Sequence, residues 1–349
     1  MAYTTVNKSK DYFEPKLYAG TSGTVNVTGL NFQPDWCWLK NRSVTNRHAL
    51  FDAIRGVTYR MATDQTEASV ADADTLTNFN SDGFTVGADA GSYGANKNGS
   101  NFVSWNWKAN GAGSSNSDGT ITTTTSASSI SGFSIIKFTG TGSGGATIGH
   151  GLSKKPKGIV IKRTSSTGNW VYWQDTTNNG TSDVRLLFNS TNGNYNNYHV
   201  TFGTNTVTLP STSDPAWSGS GSEYIAYCFA DITGYSKFGS YTGNGSADGP
   251  FIYTGFKPAF TILKKSSSSG NRWVINDSKR SPSNVVNKSL FADSNSGDTT
   301  TSQEIDYLSN GFKLRTTSSN HNTSGHTYIY MAFAEAPLVG TNNVPCNAK

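Results

Sequence analysis

Residues able to do acid–base, nucleophilic or metal chemistry are sparse in this chain and scattered. Its five histidines are His48, His150, His199, His321 and His326. No two of them have metal-ligand spacing on a predicted helix, and no cysteine stands close enough to complete a zinc set. His321 and His326 fall in Gly/Ser/Asn-rich sequence and are expected to be solvated. There is no Gly-x-Ser-x-Gly elbow, and no triad can be assembled with any specificity. Asp72 and Asp74 place alternate carboxylates in a loop, which suits calcium, but no third acid accompanies them. No other cofactor is suggested.

Two further patterns have chemical readings and structural ones. Gly140, Gly142 and Gly145 formally satisfy G-x-G-x-x-G, yet no helix start follows them, and similar glycine-rich turns occur at Gly20–Gly23 and Gly243–Gly249. They read as hairpins that need positive φ, not as a dinucleotide site. Asp52-Ala-Ile-Arg55 and Asp277-Ser-Lys-Arg280 share Asp-x-x-Arg, with Asn178 in the arginine position between them. A carboxylate beside a guanidinium is an ion pair and a poor general acid, so structural pairing is expected.

Aromatic side chains are the stronger lead. Trp170, Tyr172, Trp173 and Trp273 flank acidic positions, Trp217 lies in a Ser/Asp/Pro loop, and Tyr195 and Tyr198 lie in an Asn-rich loop. Flat rings beside amide, hydroxyl and carboxylate groups are what sugar binding uses. The candidate glycan-contacting residues are therefore Trp217, Tyr195, Tyr198, Trp170 and Trp273. The competing reading places the strand tryptophans, with their period of two, in a core.

The elements that must position these residues repeat. Gly29-Leu30…Pro34…Lys40, Gly151-Leu152…Pro156…Lys162 and Gly255-Phe256…Pro258…Lys264 each join a glycine, an apolar residue, a proline, an apolar run and a lysine six positions after the proline. Asp52, Asp175 and Asp277 follow the prolines by 18, 19 and 19 positions. Aromatic-rich closing strands begin at Phe102, Tyr224 and Tyr328, at offsets of 68, 68 and 70. This predicts three copies of one fold, each the size of a small domain. Lys40, Lys162 and Lys264 are expected to be solvated strand ends that discourage edge pairing, with a ligand-facing cationic rim as the functional alternative.

Composition agrees with an all-β chain. The 349 residues are only 34% hydrophobic but 12% aromatic, and rich in Gly, Ser, Thr and Asn. Short apolar strands joined by polar turns give that balance, and disordered chains lack the aromatics. The net charge of +5 is spread along the chain, which gives no support to nucleic-acid binding. Cys37, Cys228 and Cys346 form no disulfide framework and suit assembly in a reducing cytosol. No signal peptide is read at Met1–Thr4, and no apolar run reaches membrane-spanning length.

The predicted layout has an N-terminal arm or first edge strand at 1–15 and a first β-sandwich at 16–110. A Gly/Ser/Thr linker follows at 111–131, flexible unless it forms extended strand. Further sandwiches occupy 132–233 and 234–336, and a tail covers 337–349. The second and third units are joined so closely that they should pack together. Asp64–Asp74 is the most helix-like stretch.

The third unit reads Gly234-Tyr-Ser-Lys-Phe-Gly, then Tyr253-Thr-Gly-Phe-Lys-Pro258, Leu308-Ser-Asn-Gly-Phe-Lys-Leu314 and Tyr328-Ile-Tyr-Met-Ala-Phe-Ala-Glu335. With Gly149-His-Gly-Leu152 and Trp38-Leu-Lys-Asn-Arg42, it resembles a repeated domain of structural proteins from tailed phages, especially marine ones. The resemblance covers nearly the whole chain. It implies a virion component assembled in the host cytoplasm, built from lectin-like or jelly-roll-like sandwiches. Its partners would be other virion proteins, in a symmetric homo-oligomer. It supplies no catalytic residues. The functional expectation is a non-enzymatic tail-fibre or adhesion protein touching host-surface glycan. The alternatives are a capsid decoration or head-fibre protein and, with less support, a glycan depolymerase, which needs two converging carboxylates.

Overall fold

The computed structural model describes residues 4–339 except 90, 92, 301 and 303. Among these the chain is all-β: its strands form antiparallel sheets, and a single 3-10 turn, Ser9–Asp11, is the sole helical element. Asp64–Asp74 is extended and irregular, not helical. Two of its acids are tied to Arg60, whose Nε donates to Asp72 (2.6 Å) and whose Nη1 donates to Glu67 (3.1 Å).

One strand order recurs in three stretches of the chain, called here repeats one to three. In repeat one the opening strand Phe13–Ala19 pairs with the closing strand Asn101–Trp107, which pairs with the anchor strand Trp36–Asn41, then His48–Asp52. In repeat two the order is Phe133–Thr139, Glu223–Phe229, Gly158–Arg163, Trp170–Gln174. In repeat three it is Ser236–Thr242, Thr327–Pro337, Phe256–Lys265, Val274–Asp277. A small three-stranded sheet covers each large one: Val25–Val27 with Gly83–Val86 and Leu76–Asn80, Thr147–Gly149 with Thr206–Thr208 and Thr201–Phe202, and Phe251–Tyr253 with Gly311–Leu314 and Ile305–Leu308. The expected linker is partly strand. Ser114–Asn116 and Thr123–Ser128 extend the large sheet of repeat two beyond its opening strand.

Each anchor strand is entered through a turn whose glycine holds a left-handed conformation: φ is +80° at Gly29, +67° at Gly151 and +81° at Gly255. A side chain at these positions would strain the backbone. The residue after each glycine, Leu30, Leu152 or Phe256, is buried, so the turn pins the start of the sandwich.

The anchor strands are buried on both faces. One face closes its own sandwich. Cys37, Leu39 and Phe51 meet Leu76, Phe84 and Val86; Ile159, Ile161 and Trp173 meet Ile148 and Val207; Leu263 and Ala332 meet Ile252 and Phe312. The other face joins a core common to all three repeats, formed by Trp36, Trp38, Trp105, Trp107, Phe133, Trp170, Tyr172, Tyr227, Phe229, Phe260, Trp273 and Phe333 among others. Trp36 lies 4.4 Å from Trp107 and 4.4 Å from Tyr227, and Phe333 lies 5.6 Å from Trp107 and 6.0 Å from Phe229. Cys37 and Cys228 are free and buried.

Because the largest core belongs to no single repeat, removing one of its rings destabilises all of them. Calorimetry of the full chain should show one cooperative transition. Trp36→Ala should lower its stability by about 3–5 kcal/mol without splitting that transition. Three resolved transitions would mean that the repeats fold independently.

Candidate functional site: clefts at the seams between repeats

The three repeats meet head to tail in a ring, and the same positions make the contacts each time. The anchor lysines are not solvated strand ends. Lys40, Lys162 and Lys264 are buried, and each ammonium donates to a carbonyl of the neighbouring repeat: Lys40 to Asn295 (3.1 Å), Lys162 to Thr66 (3.1 Å), Lys264 to Thr191 (3.0 Å). Burial lowers all three pKa values to about 8. The position paired with each lysine also reaches across. The Trp170 indole donates to the Ala62 carbonyl (2.8 Å) and that of Trp273 to the Leu187 carbonyl (2.8 Å). In repeat one this residue is His48, which accepts the Trp38 indole N–H at Nδ1 (2.8 Å) and so presents Nε2–H to the carbonyl of Phe291 (2.9 Å). Repeat one thus leans on three, two on one and three on two, a heterologous contact closed within one chain.

The strand ends add a second set of contacts. Asp52 accepts from the Tyr227 hydroxyl (2.8 Å) and from Arg55 (2.6 Å), and Asp277 accepts from the Trp105 indole (3.0 Å) and from Arg280 (2.5 Å). Both Asp-x-x-Arg motifs are therefore structural pairs. The third member is not Asp175. Sheet register aligns Trp36 with Asp52, Phe260 with Asp277 and Gly158 with Gln174. Gln174 donates to the Gly239 carbonyl of repeat three (3.0 Å), while Asp175 pairs with Lys157 (3.2 Å). The arginine position of repeat two is consequently Thr177, not Asn178.

Each seam leaves a cleft. Those between repeats one and two and between three and one are small, about 290 and 200 Å³. The cleft between two and three is larger, about 610 Å³. Repeat two contributes Thr176, Asp183 and the loop Asn192–Asn196 with Tyr195; repeat three contributes Ser240, Ser266–Ser269 and Thr327. The two loops are clamped together: Asn194 N–H donates to the Ser266 carbonyl (2.7 Å) and Gly193 N–H to the Ser269 hydroxyl (3.1 Å). Gly193 is needed for that approach, since a Cβ there would stand 2.8 Å from the Ser268 backbone. Asn192 donates to the Tyr195 hydroxyl (2.6 Å), which fixes the ring at the cleft wall.

The candidate aromatics divide. Tyr195, half-buried, lines the cleft, and Tyr198 is 40% exposed beside it. Both surround the Arg185 guanidinium, at 5.1 and 5.2 Å, together with Trp217. Trp217 itself is fully buried. It packs on Trp173 and donates to the Thr212 carbonyl (3.1 Å), so its ring faces are already covered. Trp170 and Trp273 are consumed by the seams, Trp273 stacked on Phe188 at 4.3 Å. Period-two strand tryptophans in a two-faced sheet are core, as the competing reading had it. His321 is also buried, not solvated, and fills the place six residues before the closing strand that Trp217 fills in repeat two. Asp72 is tied to Arg60, Asp74 is exposed, and no group of three or more His, Cys, Asp or Glu suited to a metal occurs among the described residues. Sequence reasoning missed the lysines. The signal was present, a cation at one fixed place inside three apolar strands.

The His48 contact makes the seam between repeats one and three acid-sensitive. Burial, and then the Lys40 charge, lower its pKa from 6.5 to about 3. The unfolded chain therefore binds the extra proton first. The contribution of His48 is complete above about pH 6.5 and is lost as pH falls toward 3. A proton at Nδ1 would also face the Trp38 N–H. Urea midpoints measured between pH 7 and 4 should fall less steeply in His48→Gln than in the wild-type chain; equal slopes would remove His48 from the acid response.

Comparison with known proteins adds one finding. A family described as a domain of unknown function, DUF7483, matches residues 8–337, a span that includes all three repeats. No curated protein and no solved structure matches. The chain belongs to the DUF7483 family.

Proposed function

We propose that this chain is a non-catalytic structural component of a tailed-phage particle that contacts host-surface glycan, and that the cleft between repeats two and three makes the contact. The observation that carries this reading is the cleft's lining: serine, threonine and asparagine groups beside the Tyr195 ring, in a volume of about 610 Å³. Saccharides are bound by such hydroxyls and amides with an aromatic wall. Among the lining residues Asp183 is the one carboxylate, and its oxygens already accept from the amide and hydroxyl of Thr176. A hydrolase would need a second carboxylate across the bond to be cut. The resemblance of the anchor and closing segments to phage structural proteins supports placement on a virion, among other virion proteins. Free, buried Cys37 and Cys228 suit assembly in a reducing host cytoplasm. No helix among the described residues is long and apolar enough to cross a membrane.

A second reading, capsid decoration or a head fibre with a purely structural role, is favoured by the closed ring of repeats. A body with internal threefold order fits a threefold position on a shell.

Glycan-array binding by the full chain tests the first reading. Tyr195→Ala should weaken binding about tenfold while leaving the unfolding transition in place, because the ring is half-buried and outside the common core. Trp217→Ala cannot serve this purpose, since it would open a cavity in the sandwich of repeat two. Absence of glycan binding, with the chain found by electron microscopy at lattice threefold positions, would favour decoration.

A further inference from the structure

The cleft between repeats two and three is rich in hydroxyls and, equally, poor in positive charge. No lysine or arginine is among the residues that line it. The cations nearest in sequence are outside that lining and already have partners. Arg185 faces the rings of Tyr195, Tyr198 and Trp217 and donates to the Asn197 amide oxygen (2.8 Å). Lys264 is buried, with its ammonium on the Thr191 and Asn271 carbonyls. Lys265 donates to the Thr323 hydroxyl (3.1 Å). The single charge on the wall is the partly exposed Asp183 carboxylate.

We propose that this cleft selects an uncharged saccharide and discriminates against uronate, sialate or sulfate-bearing ones, an inference that rests on the glycan reading above. Each Asp183 oxygen accepts one hydrogen bond from Thr176 and keeps a lone pair for a further donor. Sugar hydroxyls can supply that donor. A sugar carboxylate or sulfate cannot, and it brings a like charge to within a few ångström of Asp183 with no guanidinium or ammonium on the wall to offset it. Two like charges at that distance in a solvated cleft weaken binding about fivefold at low ionic strength, and salt screens the effect. The serines at 266–269 extend the same neutral surface into repeat three.

The test is calorimetric titration of the full chain at low salt with neutral hexose oligosaccharides from the array and with the same oligosaccharides oxidised at C6 to uronates. The neutral forms should bind about fivefold more tightly. Asp183→Asn, which keeps an oxygen for Thr176, should shrink that ratio toward one. Ser268→Asp, which adds a second carboxylate to the opposite wall, should widen it and serves if Asp183→Asn proves unstable. Equal or tighter binding of the uronates by the wild-type chain, or a ratio unmoved in both variants, overturns the charge selection and leaves glycan binding standing. No binding of either form overturns the glycan reading itself and the selection with it.

Discussion

The structure depends on sheets that are buried on both sides. A sandwich normally hides one face of each sheet and wets the other, and a chain that is only 34% hydrophobic has little apolar side chain to spare. Here the anchor and closing strands divide it between two faces, one for each sandwich's own core and one for a core common to all three repeats. Leu39, Ile161 and Leu263 look inward to their own small sheets, while Trp38, Val160 and Ile262 look into the common core. Each repeat therefore completes its neighbour. Six of the eight tryptophans are spent on this junction and not on a ligand surface.

A core shared in this way creates a polar difficulty, which the buried lysines answer. Where three sheets converge, loop carbonyls of one repeat lie against the strand ends of the next in partly buried contacts. Such groups need donors. An ammonium offers three, on a stem long enough to cross the seam. The cost is desolvation, expressed in pKa values near 8, and it is offset because two or three carbonyls converge on each charge. The indoles of Trp170 and Trp273 and the imidazole of His48 do the same work uncharged, with their apolar bodies in the core.

Departures from the repeat are where a site can arise. Repeats one and three place an arginine against their strand-end aspartate, and it also holds a carbonyl two strand positions back, Leu50 or Ile275. Repeat two has Gln174 and Thr177 instead, and its ladder continues unbroken to Val184. This is also a repeat that borders the largest of the three seam clefts. Its Asn-rich loop crosses to the serine loop of repeat three and carries Tyr195 to the wall.

How much of this was legible beforehand follows from the range of the interactions involved. The glycine-rich turns, the strand after each proline and the all-β character are local, set by backbone sterics and by short apolar runs, and so were readable from residue types and spacing. The one-residue mismatch that hid Gln174 was not. A single added residue between Lys264 and Asp277 shifts an offset count, and only the hydrogen-bond register restores the alignment. The same limit applies to Lys40, Trp170, Trp217 and His321. Their residue types fit both exposed and buried places, and the choice was made by groups more than a hundred positions away or by a loop folding back on its own sandwich. Sequence alone determined which segments become strands and where the chain must turn. Tertiary structure alone decided which faces are hidden and where a cleft stays open, because burial is a property of neighbours and not of the residue itself.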